Sequence, residues 1–340
     1  MTQLATIYPS RITITPARVN KSIEQKLYDK FIKEKLGLSN DTYKKNFKLE
    51  KNSFTLSKSS KKKLMDSING MFVLSNPRTV KMKSGKSIFN FKMSFVTLTL
   101  PSKQVHNDTF VKKELLNQLL VELRNKYGVK NYVWKAELQK NKNIHFHLIL
   151  DKYVDFQALR RRWNRITEKH NYVTKYSEKM QSLSLLEYHK SRNRFNSTSF
   201  EDSKKAFAQG TKCNWSNPNS VDVRSVSNKK DLAIYLSKYV TKPVTKSSDL
   251  VQDIEREINF GRSWSRSYSL AQLKYKNKFT VEDLKDLIEH LEAMPEKVLK
   301  VVGDFFQVYY FNISNIGKHF GNLIQFYLRK NAEIYNYPFP

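Results

Sequence analysis

The sequence predicts an α+β fold in which helices pack on an antiparallel sheet of about five strands, with additions at the N- and C-terminal ends. Three observations lead to this fold class: an apolar, β-branched run at 88–101, two strand-like segments within 131–150, and helical stripes of apolar residues before and after that pair. The resulting order of strand, helix, strand, strand, helix, strand, helix is the split β-α-β arrangement. Helices would cover one face of such a sheet, so the other face would be free to hold a site.

The first strand and the first helix are bounded by local signals. The run IFNFKMSFVTLTLP ends at Pro101, which cannot donate to a strand ladder and therefore closes the strand. Asp108 is predicted to cap a helix in which Val111 and several leucines form a wide apolar stripe. Gly128 is predicted to end this helix, because glycine accepts the left-handed backbone found after a C-terminus.

A hairpin and a second helix follow. The segments NYVWKAEL and IHFHLIL, separated by the polar turn QKNKN, are predicted to pair as antiparallel strands. Asp155 is predicted to cap the helix FQALRRRWNRIT. The polar stretch 170–218 is interpreted as a loop-like insertion. The strand SVDVRSVS and the helix NKKDLAIYLSKYVTK, which reaches Pro243, complete the predicted core.

The predicted core covers residues 88–245, and the remaining chain lies on either side of it. Residues 1–87 form an N-terminal basic region of unknown role, in which the basic patch 58–63 is interpreted as a solvated loop. Residues 246–340 are predicted to be a C-terminal supporting or DNA-binding subdomain. Within it, the apolar run 298–311 is rich in Val, Phe and Tyr and is predicted to be a buried strand.

The charge of the chain points to a polyanionic partner. Lys and Arg number 61 against 31 Asp and Glu, which gives a net charge of +30 at pH 7. Such a field attracts nucleic acid, although charge alone leaves open an anionic membrane surface or a ribosomal or capsid role. No uncharged apolar stretch approaches the roughly 18 residues of a membrane span, and the N-terminus lacks the pattern of a signal peptide. The single cysteine, Cys213, excludes an internal disulfide framework and fits a cytoplasmic location.

A candidate metal site lies on the predicted hairpin. Side chains alternate along a strand, so His145 and His147 project from one face while Phe146 projects from the other. A hairpin folded near residues 140–141 would bring Glu137 beside the two imidazoles. Two histidines and one carboxylate leave coordination positions open, which a Lewis-acid metal needs and a closed structural zinc site does not offer. The alternative is that both histidines are ordinary residues of a polar face.

A candidate nucleophile lies on the last predicted helix. Tyr235 and Tyr239 are four residues apart and therefore share a helix face, and Lys238 and Lys242 follow them by three residues each. A phenol with a pKa of about 10 is scarcely ionised at pH 7, so a tyrosine nucleophile needs a nearby cation or base. The alternative is that both tyrosines are packing residues of a half-buried helix.

The second predicted helix carries a basic stripe opposite its apolar face. Such a stripe suits contacts to a phosphate backbone, and a merely solvated face is the alternative. Its members are Arg160, Arg161, Arg162 and Arg165.

Taken in order, the strand FVTLTLP, the segment His145-Phe146-His147 and the helix segment YLSKYVTK resemble the three motifs of HUH endonucleases. The doubled tyrosine is similar to the two-tyrosine branch of rolling-circle replication initiators, which occurs in small single-stranded DNA phages and plasmids. The resemblance covers roughly residues 88–245 and implies an RRM-like nuclease core.

The resemblance implies a function as well as a fold. His145, His147 and Glu137 would bind Mg²⁺ or Mn²⁺, and Tyr235 or Tyr239 would attack origin DNA, single-stranded or supercoiled, to leave a 5′-phosphotyrosine and a 3′-OH that primes rolling-circle replication. No Walker loop occurs in the sequence, so a host helicase and a host polymerase are expected partners. The alternatives are a relaxase or transposase of the same superfamily, and a non-catalytic nucleic-acid-binding or genome-packaging protein.

Overall fold

The computed structural model describes residues 3–16, 56–75, 78–81, 88–139, 141–193, 198–226, 256, 260–272, 278–303, 306–313 and 315–334. The strands in chain order are β1 (Gln3–Tyr8), β2 (Arg11–Pro16), β3 (Arg78–Lys81), β4 (Ile88–Phe91), β5 (Met93–Thr99), β6 (Tyr132–Leu138), β7 (Ile144–Leu150), β8 (Val221–Val226), β9 (Trp264–Arg266), β10 (Lys278–Thr280), β11 (Val298–Gly303) and β12 (Phe306–Phe311). The α-helices are α1 (Lys58–Leu74), α2 (Asp108–Phe110), α3 (Asn117–Tyr127), α4 (Phe156–Glu168), α5 (Tyr172–Gln181), α6 (Leu185–Asn193), α7 (Phe200–Lys212), α8 (Tyr268–Gln272), α9 (Lys285–Glu292) and α10 (Lys318–Ile334).

The chain divides into two compact units, and the predicted α+β class is confirmed. One unit joins Met1–Leu74 to Tyr268–Phe339, and the other is Ser75–Ser267. Each contains a five-stranded antiparallel sheet, and β3 and β4 form a separate two-stranded ribbon. Among the described residues, no helix is long and apolar enough to cross a membrane.

The sheet of the unit Ser75–Ser267 has the strand order β8-β5-β7-β6-β9. The predicted β6–β7 hairpin is present, with Glu137 opposite His145 and Lys135 opposite His147. The predicted first strand is divided at Lys92, where a bend separates β4 from β5. The outer strand β9 has only three residues, and no sequence pattern predicts it.

The first helix of this sheet is continuous in sequence but not uniform in geometry. It begins as α2, widens into a π-helix at Val111–Leu116 and continues as α3. The N-cap is Asn107 and not the predicted Asp108, because the Asn107 side chain accepts a hydrogen bond from the Phe110 N–H at 2.8 Å. Gly128 ends α3 as predicted, with a left-handed backbone at φ 63°.

Helix α4 packs on the face of the sheet opposite to the histidines. Asp155 caps it by accepting a hydrogen bond from the Ala158 N–H at 3.0 Å, as predicted. Trp163 is fully buried, and its ring lies edge-on to that of Phe146 with 6.4 Å between the centroids. The Trp163 indole N–H also donates to the Thr99 carbonyl at 2.6 Å. This layer therefore fixes the strand segments that carry His145 and His147.

The prediction of a loop-like insertion at 170–218 is wrong, because α5, α6 and α7 lie within it. Polar residues dominate these helices, but an aromatic cluster of Tyr188, Phe207 and Trp215 holds them together at centroid distances of 5.2–5.7 Å. Gly210 allows this packing, since a Cβ atom there would lie 2.4 Å from the Trp215 ring.

The other unit has a sheet with the strand order β10-β1-β2-β12-β11. Its core includes Ala5, Ile12 and Tyr309, each at most 1% exposed. The basic patch 58–63 is not a loop but the beginning of α1. The predicted single strand 298–311 is a hairpin of β11 and β12 instead, and β11 is an edge strand with most of its side chains exposed.

Candidate metal centre

Pairing of β6 with β7 brings Glu137, His145 and His147 together on one face of the sheet. Residues directly opposite in an antiparallel pair project to the same side, and Glu137 is opposite His145. His147 is two residues further along β7 and shares that side. The ligand atoms of the three side chains all lie within 4.8 Å of one another.

The distances within this triad suit a small metal ion. The Glu137 Oε2 atom lies 3.7 Å from His145 Nε2 and 3.5 Å from His147 Nε2. Ligand bonds of about 2.1 Å place neighbouring ligand atoms roughly 3.0–3.5 Å apart, so only a small contraction would be needed. No fourth His, Cys, Asp or Glu joins the cluster within the described ranges. The donor set therefore fits an ion that keeps further coordination positions for water or substrate.

The surroundings of His147 orient its ring. Its Nδ1 atom lies 3.3 Å from the Thr97 hydroxyl, and its ring stacks on Phe95 with centroids 5.6 Å apart. A hydrogen bond from Nδ1–H to the hydroxyl oxygen leaves the Nε2 lone pair directed at Glu137. The rings of His145 and His147 meet edge to face at 4.4 Å.

The electrostatics of the triad favour the protonation states that bind a cation. Burial opposes ionisation of Glu137, but hydrogen bonds with His145 and His147 and the charge of Lys135 lower the pKa of the Glu137 carboxyl well below its usual range. Burial lowers the pKa of His147 to about 4. At neutral pH, Glu137 is therefore a carboxylate and His147 a neutral imidazole.

Lys135 belongs to the site, although the sequence analysis did not single it out. Its ammonium lies 2.6 Å from Glu137 Oε1, and its side chain is only 7% exposed. The contact occupies one carboxylate oxygen and leaves Oε2 facing the imidazoles. Strand alternation could have found it, because Lys135 is two residues before Glu137 and must share its face.

The same face carries further polar side chains where neighbouring strands pair. Thr97 is opposite His147 on one side and Asp222 on the other, and Lys135 is opposite Trp264. Trp264 enters through the short strand β9, which extends the site face beyond β6.

The remaining predicted site residues are not brought to the triad. Tyr235, Tyr239, Lys238 and Lys242 lie outside the described residues. The arginines Arg160, Arg161, Arg162 and Arg165 are on α4, which packs on the opposite face of the sheet. Two of these arginines, at positions 162 and 165, pair with Glu122 at 2.9 and 2.5 Å. Their contact with DNA stays a prediction.

Comparison with known proteins gives one family. Residues 93–244 match a family model for the replication-associated protein ORF2. The matched segment is less than half of the chain and contains Glu137, His145 and His147. It supports a replication initiator family and a replication-associated role. No curated protein and no solved structure gave a significant match.

Proposed function

We propose that the chain is a sequence-specific single-strand DNA endonuclease and strand transferase that nicks an origin and starts rolling-circle replication. The observation that carries the proposal is the open triad of Glu137, His145 and His147 inside a segment that matches a replication-associated family. A purely binding protein would have no need for three potential metal ligands, held within 4.8 Å of one another, beside a buried lysine.

The triad would act on the scissile phosphate. When bound by Glu137, His145 and His147, Mg²⁺ or Mn²⁺ supplies Lewis-acid stabilisation of the charge that develops on that phosphate. Thr97 fixes the orientation of the His147 ring, and Lys135 holds Glu137 Oε1 so that Oε2 is presented to the imidazoles. Lys135 also keeps a positive charge close to the reacting phosphate.

The nucleophile in this proposal is Tyr235 or Tyr239. The phenolate oxygen forms a bond to phosphorus while the bond from phosphorus to the 3′ oxygen breaks, and the phenol proton ends on that 3′ oxygen. The products are a 5′-phosphotyrosine and a 3′-OH that can prime synthesis. The phosphotyrosine bond retains the energy for rejoining, so the cycle needs no ATP. A second tyrosine allows another nick before the first link is resolved.

Lys238 and Lys242 would steady the phenolate or contact phosphate, since each lies one helical turn after a tyrosine if the segment is helical. Unwinding of the duplex and synthesis from the 3′-OH would fall to a host helicase and a host polymerase, or to supercoiling in the first case.

Adduct formation tests the proposal. The full chain is incubated with Mn²⁺ or Mg²⁺ and labelled single-stranded DNA from candidate origins, and denaturing gels are searched for a protein–DNA adduct. The double variant Tyr235→Phe, Tyr239→Phe should bind DNA but form no adduct. Tyr268→Phe is the matched control, because Tyr268 is 78% exposed and lies outside the matched segment.

A second pair of variants tests the triad. His145→Ala should abolish both the adduct and the dependence on metal, whereas His319→Ala, which replaces an exposed histidine on α10, should change neither. Absence of an adduct with every candidate origin and either metal would refute the proposal and favour a protein that only binds or packages nucleic acid.

A further inference from the structure

A cavity of about 540 Å³ opens at the end of the β6–β7 hairpin, away from the described triad. Its lining comes from the loop 103–108, which follows β5, from the turn 141–143 and from Arg256. The volume falls within the range of pockets that hold small ligands. Neither the family match nor the proposed chemistry assigns a role to this cavity.

Hydrogen bonds between its own walls pre-form the cavity. Asn143 is 3% exposed, accepts a hydrogen bond from the Gln104 N–H at 2.9 Å and donates to the Ser102 carbonyl at 2.8 Å. The Gln104 side chain accepts from the Ile144 N–H at 2.7 Å and donates to Asp108 at 2.8 Å. The loop and the turn are thus joined into one wall before any ligand binds.

The charge of the cavity is positive. Three cationic side chains line it, Lys103, Lys142 and Arg256, against one carboxylate, Asp108, among the described lining residues. Arg256 binds both oxygens of Asp108, at 2.8 and 2.6 Å, and so neutralises it. The two lysines therefore give the cavity its excess charge, which suits an anionic ligand.

The backbone of Lys142 is unusual for a lysine. Its φ of 65° lies in the left-handed region, which favours glycine and is adopted less readily by long side chains. Two hydrogen bonds hold this turn: the Lys142 N–H donates to the Gln139 carbonyl at 2.8 Å, and Arg256 donates to the Lys142 carbonyl at 2.7 Å. A lysine at a position that suits glycine indicates that its side chain is needed there.

The cavity is close enough to the triad to bind the same strand. Asn143 precedes His145 by two residues, and a strand advances about 3.3 Å per residue, so the two backbone positions are separated by roughly 7 Å. A single-stranded nucleic acid that reaches the triad can therefore also reach the cavity.

We propose that this cavity is a phosphate-binding subsite, in which Lys103 and Lys142 hold a phosphodiester of the single strand next to the reacting one. The inference rests on the proposed function, because it takes a single strand as the substrate. It goes beyond that function by placing the next contact of the strand at the hairpin turn and not on the arginines of α4.

The salt dependence of binding tests the subsite. A fluorescent oligothymidylate of about 16 nucleotides is titrated with the full chain in EDTA, at several salt concentrations between roughly 50 and 200 mM. Each lost phosphate contact should lower the slope of log K against log salt by about 0.7. Lys142→Gly should lower it once, and the double variant Lys103→Ala, Lys142→Gly should lower it by about 1.4.

The variants separate binding from folding. Lys142→Gly removes the ammonium at a position where glycine fits the backbone, so its thermal melting should stay unchanged. Lys103→Arg should retain the wild-type slope. Lys126→Ala is the control for a general loss of charge, because Lys126 is an exposed lysine on α3, away from the cavity.

The outcomes distinguish the subsite from the nuclease. An unchanged slope in the double variant, or an equal decrease in Lys126→Ala, overturns the subsite. Because the titration needs no metal, a decreased slope without adduct formation by the wild type would keep the subsite and refute the nuclease. An adduct together with an unchanged slope would refute the subsite alone. Failure of the wild type to bind the oligonucleotide would overturn both.

Discussion

Replacement of Lys135 by Met should destabilise the unit Ser75–Ser267 by about 3 kcal/mol, at the lower end of the range for breaking a buried ion pair. The Lys135 ammonium is 2.6 Å from Glu137 Oε1, and the two side chains are 7% and 13% exposed. Without the ammonium, the Glu137 carboxylate stays buried with one oxygen uncompensated. The imidazoles at 3.5 and 3.7 Å reduce this loss without removing it.

A second ion pair of the same length provides the control. Lys300 and Glu292 are also 2.6 Å apart, but their side chains are 44% and 43% exposed. Water and salt screen an exposed pair, so Lys300→Met should cost at most about 1 kcal/mol. The two variants compare ion pairs at equal distance and different burial.

The measurement is urea unfolding in EDTA, read from the midpoint and the slope of the transition. The titration is then repeated with Mn²⁺. The ion should stabilise Lys135→Met more than the wild type, because the carboxylate has lost its competing cation. A destabilisation below about 1 kcal/mol, or equal to that of Lys300→Met, would refute the assignment of Lys135 as a buried partner of Glu137.

Three further variants test the packing around the site. Trp163→Phe removes the donor to the Thr99 carbonyl and should cost about 2 kcal/mol in urea unfolding; a loss below roughly 0.5 would contradict the hydrogen bond. Gly128→Ala should cost about 1 kcal/mol at φ 63°, and Gly128→Asn less. Burial lowers the pKa of Lys112 to about 8 from 10.5, so the unfolded chain holds this proton to a higher pH than the folded one, and stability should rise between pH 8 and 10.5. Lys112→Met should lack that part of the rise, and equal pH profiles would refute it.

The elements that the sequence predicts well are those with complete local signals. The strand before Pro101, the helix that ends at Gly128, the hairpin of β6 and β7 and the helix capped by Asp155 all carry their own periodicity and boundaries. Because the hairpin turn is short, the register of Glu137 with His145 also follows from the sequence.

The elements that the sequence does not predict depend on partners distant in the chain. Strand β9 is only three residues long and exists through its pairing with β6, more than 120 residues earlier. Helices α5 to α7 are held by Tyr188, Phe207 and Trp215, whose proximity no local periodicity reveals. The cavity likewise combines Arg256 with a loop near position 104.

The order in which a ribosome delivers the chain follows from the pairing of β2 with both β1 and β12. Strands β1 and β2 emerge first, yet their sheet lacks a neighbour until residues 306–311 have been made. All strands of the sheet β8-β5-β7-β6-β9 are available by residue 266, so the triad can assemble earlier in synthesis. A nascent chain would thus acquire its chemical centre while an early hairpin still waits, with exposed edges, for the last part of the protein.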